Sequence, residues 1–64
     1  MRIKYNKETD ILHILFNDNK IIESDEDKPG LILDYDENGS IVSIELLQAS
    51  SKIENPAAVD YVVS

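Results

Sequence analysis

The run LILDYDENGSIVSIELL, residues 31–47, constrains this chain more than any other stretch. Apolar side chains alternate on both sides of Asn38-Gly39, a dipeptide that favours a tight reversal between two strands. The same residues spell D-x-D-x-N-G-x5-E from Asp34 to Glu45, the spacing of a calcium-binding EF-hand loop, with Ile41 at its hydrophobic eighth position. A calcium loop needs a helix running into it. Gly30 and Pro29 stand four and five residues before Asp34, where that helix would have to continue unbroken. The hairpin, by contrast, explains the side chains. A two-residue turn pairs Asp36 with Ile41, Tyr35 with Val42, Leu33 with Ile44 and Leu31 with Leu46, leaving one face entirely apolar or aromatic. The stretch therefore reads as a hairpin.

A second hairpin precedes it. MRIKY and ILHILF alternate in the same way, and a loop over residues 7–10 sets Tyr5 opposite Leu12 and Ile3 opposite Ile14, with His13 near Lys4. Together the hairpins supply a core face of Ile3, Tyr5, Leu12, Ile14, Phe16, Leu31, Leu33, Tyr35, Val42, Ile44 and Leu46. Between them IIES, residues 21–24, reads as a short extra strand and DEDKPG as a charged loop. After Gln48 the alternation stops. Asn55 as N-cap with Pro56 at the first helical position predicts a short helix to about Val62, whose Val59, Val62 and Val63 would cover the core face. A final strand over DYVVS is the other option. The expected fold class is α+β: a mostly antiparallel β-sheet of two hairpins, four to five strands in all, with a short C-terminal helix. Residues 1–64 form one domain.

Charge and composition narrow the function. Thirteen acidic and six basic side chains leave a formal net charge of -7 with no basic stripe, which disfavours direct nucleic-acid binding and suits a basic partner. There is no cysteine, hence no disulfide and no thiolate metal site, consistent with a reducing compartment. No leader-like segment precedes the first strand and no apolar run is long enough to span a bilayer, so a cytoplasmic protein without membrane attachment is expected. His13 is the only histidine, no serine has a base-and-orienter pair, and both glycines fall in turns, so no phosphate loop exists. The chain reads as non-enzymatic, with no cofactor and no dedicated metal site.

The second face of the sheet carries the candidate site. Ile11, Leu15, Ile32, Ile41 and Leu47 project there as an apolar patch, rimmed by Lys4 and by the acids Asp34, Asp36 and Glu45. Rimmed apolar patches mark interaction surfaces, so the expected partner is a second copy of the chain or another protein. The alternative is a cation- or small-ligand-binding module that uses Asp34, Asp36 and Glu45.

The opening MRIKYNKETDILHILF and the central GLILDYDENGSIVSIELLQAS together resemble the YuzE-like small bacterial domains, domain-of-unknown-function family 2283. The resemblance rests on Tyr5 and Asn6 ending the first strand, on Asp34, Asp36 and Gly39 in the hairpin, on Ile44 and Glu45 in the following strand, and on the Ala49-Ser50 pair. Two positions depart from that pattern: Ser43 where a glycine is common, and His13 where an aromatic is usual. The resemblance implies a compact α+β or mostly β domain with no established catalytic activity. It also implies an antitoxin-like role, since such domains are often encoded beside small ribonuclease-toxin-like proteins.

Overall fold

Alternating apolar residues gain most from extended backbone, which puts every second side chain on a common face. The structure, a computed structural model that describes residues 1–64, turns each such run into a strand. The strands are β1 Arg2–Asn6, β2 Ile11–Leu15, β3 Glu23–Lys28, β4 Leu31–Tyr35 and β5 Ile41–Leu47. They form one antiparallel sheet in the order β1-β2-β5-β4-β3, so β5 lies at the centre. The first hairpin has the expected register, Ile3 opposite Ile14, Lys4 opposite His13 and Tyr5 opposite Leu12. Its loop is shaped by Asn6, whose side-chain oxygen accepts the N–H groups of Glu8 and Thr9. Asp10 closes it with a left-handed backbone, φ 56°.

The second hairpin matches expectation from Leu31 to Asp34, with Leu31 opposite Leu46 and Leu33 opposite Ile44. Nearer the turn it departs. Val42 is an extra residue, so Tyr35 faces Ile41 rather than Val42, and Ile41 moves off the second face. The reversal is three residues long, not two: Asp36 donates its N–H to Ser40 and its carbonyl accepts the N–H of Gly39. Gly39 has φ +78° while Asn38 is not left-handed, which makes a type I turn followed by a bulge glycine. The cause is the Asp36 carboxylate, which accepts the N–H groups of both Asn38 and Ser40 at 2.9 and 3.0 Å. That pair of bonds selects the local geometry over the mirror-image turn suggested by Asn-Gly alone.

Two further expectations are corrected. The additional strand is Glu23–Lys28, not residues 21–24, and it takes in most of what reads as a charged loop. An edge strand buries little, so acids with weak strand propensity are tolerated there. The predicted C-terminal helix is absent. The Asn55 side chain does accept the Ala57 N–H, and Ala58 donates to the Asn55 carbonyl, but the helix stops after that single turn. A segment this short has too few internal bonds to offset nucleation. The only helical element is a 3-10 turn, Ala49–Ser51, pinned to the first hairpin by Ser50, which donates to Asp10 from its N–H and its hydroxyl.

Without that helix, the core face is only partly covered. Five residues are buried, and Val42 and Ala49 are the only apolar ones among them. Ile3 and Phe16, assigned to the core by their alternation, remain exposed. A Cβ added at Gly39 would meet nothing within 4 Å, so the cost of Gly39→Ala is purely the left-handed backbone. That substitution is expected to destabilise the fold by about 1 kcal/mol in urea denaturation, with Gly39→Asn costing about half as much. Equal stability for Gly39→Ala and wild type would contradict the turn described.

Candidate functional site

The second face is built from three cross-strand rows. Ile11 stands opposite Leu47; Lys4, His13, Glu45, Ile32 and Glu26 succeed one another in the next row; Arg2, Leu15, Ser43, Asp34 and Ser24 form the third. The anticipated patch of Ile11, Leu15, Ile32, Ile41 and Leu47 is therefore not continuous. Ile11 and Leu47 touch at one end, Ile32 flanks Glu45, Leu15 lies beyond the polar residues, and Ile41 sits opposite Tyr35. A polar seam divides the face.

Asp34 is the centre of that seam. It is 2 % exposed, and its two carboxylate oxygens accept hydroxyl protons from Ser24 on β3 at 2.6 Å and from Ser43 on β5. Ser43 is itself fully buried, so one carboxylate ties three adjacent strands together. The Glu45 carboxyl lies beside it. Burial and then the neighbouring Asp34 push Glu45 above the ordinary carboxylate range. Burial pushes Asp34 up as well, but donation from Ser24, Ser43 and Glu45, with the charge of His13, outweighs it and leaves Asp34 below that range. The two neighbouring carboxyls are thus pushed apart, Glu45 upward and Asp34 downward.

Asp36, the third predicted acid, belongs elsewhere. The N–H of Ser40 and then the Asn19 side chain, at 3.0 Å, hold its carboxyl below the usual range, and Asn38 contributes as well. Its oxygens are committed to the turn. No group of three or more His, Asp or Glu side chains is arranged to hold a metal ion. Sequence reasoning missed the two serines and Asn19. Ser43 was readable from the hairpin register, which sets it opposite Asp34, whereas Ser24 and Asn19 come from segments with no register signal.

A protein-family model, described as protein of unknown function (DUF2283), matches residues 2–50. The chain belongs to that family. No curated protein and no solved structure matches it. The match ends within the Ala49–Ser51 turn that closes on Asp10, so the sheet and its clasp are the family unit. No helix of the chain is long and apolar enough to cross a membrane.

The acid pair makes stability depend on pH with a definite sign. Glu45, raised in the folded state, contributes stability that is complete below its ordinary value of 4.5 and is lost as pH rises through the raised value. Asp34, lowered, contributes stability above its ordinary 3.8 that is lost as pH falls through the depressed value. The pair supports the fold best around the ordinary carboxylate range and less at neutrality. Glu45→Gln keeps a donor toward Asp34 without a titrating proton. It is expected to gain on wild type as pH rises to neutral, by about 0.5–1 kcal/mol, the net worth of one hydrogen bond. Thermal melts across that range test this; parallel pH profiles for the two proteins would refute it.

Proposed function

We propose that this domain is a non-catalytic protein-interaction module that binds a basic partner through the β3 edge and the adjoining second face. One observation carries this reading. Every residue of β3, Glu23–Lys28, is exposed, and four of the six are carboxylates. The outer side of β3 carries backbone N–H and C=O groups with no neighbouring strand, because β3 ends the sheet. Such an edge invites another extended segment. Its acids repel a second copy of the same edge and attract a basic one, so charge selects the occupant. The -7 net charge strengthens that steering. An antitoxin-like role in a reducing cytoplasm, masking the basic surface of a small RNA-cleaving protein, fits this chemistry.

Affinity capture with the full chain in its native host is expected to recover a small basic protein, released by raised salt. Replacing Glu23, Asp25, Glu26 and Asp27 by their amides is expected to weaken that complex by at least about tenfold, mostly through slower association. Recovery of the chain's own copies alone, or a complex indifferent to both salt and the amide substitutions, would overturn the reading.

A further inference from the structure

The apolar face has a regular interior, which the C-terminal residues Pro56, Ala57 and Val59 adjoin along its β1 margin. Ile3, Ile14, Ile44 and Leu33 stand opposite one another in a single row across β1, β2, β5 and β4. Leu12 and Leu46 form the centre of the next row. All but Ile3 are half-buried and Ile3 is exposed, so none has the enclosure of a core residue. A one-layer sheet does not bury such a face by itself; a second layer must close on it.

The exposed area leaves room for such a layer. A compact monomer of 7.2 kDa exposes about 4,100 Å². This chain exposes 4967 Å², an excess of roughly 800 Å² shared between the apolar face and the residues after Ile53. A stable protein–protein interface buries about that much on each partner. We propose that the layer is a second copy of this chain, so that the protein is a two-fold dimer of sheets packed through their apolar faces.

Charge identifies the occupant. On β1, β2, β5 and β4 this face carries no ionisable acid or base except the tyrosines, whereas Arg2, Lys4, His13, Asp34 and Glu45 all lie on the other face. Glu23, Asp25 and Lys28 of β3 continue these rows beyond β4 and are exposed, so the charges of this face lie at its margin, and the apolar patch inside them complements itself about a two-fold axis. An axis perpendicular to the strands would stack β3 on β3 and oppose their carboxylates. An axis parallel to the strands places acidic β3 over the partner's β1 margin, where Lys7 lines a cleft with Ile3 and Tyr5, and crosses the face at β5. Ile44 of the two copies then meet at the centre. Pro56, Ala57 and Val59, which share a cleft with Ile3 and Tyr5 along the same β1 margin, extend the contact.

Sedimentation equilibrium of the full chain at micromolar concentration is expected to give twice the 7.2 kDa chain mass. A folded monomer there overturns the proposal. In a mixed sample of isotope-labelled and unlabelled chains, filtered NOE spectra are expected to show intermolecular methyl contacts at Ile44, Ile14 and Leu33. Contacts at Ile11 and Leu47 instead would assign the dimer to the opposite face and overturn it equally. Ile44→Asp is expected to weaken the dimer by about a hundredfold or more, with Ile11→Asp leaving it unchanged. This inference is separable from the basic-partner reading: a dimer with no basic partner leaves it standing, and a monomer that binds one removes it alone.

Discussion

The pairing of β2 with β5 makes one sheet out of two hairpins. Each hairpin is local, closed by its own turn, and a lone hairpin is marginal in water. Ile11 to Leu15 pair with Leu47 to Ser43 across a long sequence separation, and this brings the two apolar alternations into phase. Had that pairing slipped by one residue, Ile3 and Ile14 would together have left the row of Ile44 and Leu33, and the apolar face would have mixed with the charged one. Asp10 secures the same junction from outside, accepting from Tyr5 of β1 and from Ser50 beyond β5. The loop of one hairpin is thus bound to the exit of the other.

The sheet then carries an asymmetry between its faces. One side is aliphatic and aromatic across β1, β2, β5 and β4, with charges only where β3 borders it. The other has a buried carboxylate at its centre, and this carboxylate is held by the two serine hydroxyls that donate to it. An unpaired Asp34 at that depth would be costly, and its burial would drive it neutral. The Ser24 and Ser43 hydroxyls offset that cost, and in doing so they tie β3, β4 and β5 together by side chains as well as by backbone. Four further carboxylates lie on the β3 edge, where exposure makes them inexpensive and where they deter sheet-on-sheet growth.

The same economy explains what the chain lacks. With few buried residues and no helical layer, the interior is a surface waiting for a complement, and the acidic edge is open along its backbone. The two proposals assign these two surfaces to different occupants. The apolar face takes an identical sheet, for which its lack of charge is suited. The acidic edge takes a basic segment, which its charge selects.

Residues 1–16 and 31–47 determined their own structure from sequence, because alternation with a period of two fixes both strand and face, and loop chemistry fixes the reversal. Ile3 opposite Ile14 and Leu33 opposite Ile44 follow from local pattern alone. Near Asn38-Gly39 the same logic reached its limit: the Asp36 carboxylate competes for the turn's N–H groups, and a side-chain bond of that kind displaced Ile41 from its anticipated face. β3 and the segment after Gln48 were decided by tertiary structure. An edge strand of acids has no apolar period to read, and the cap at Asn55 marks where a helix starts without supplying the packing that would sustain it. The partners of Asp34 were equally hidden, since hydroxyls on β3 and β5 converge on one carboxylate only after three strands are laid side by side.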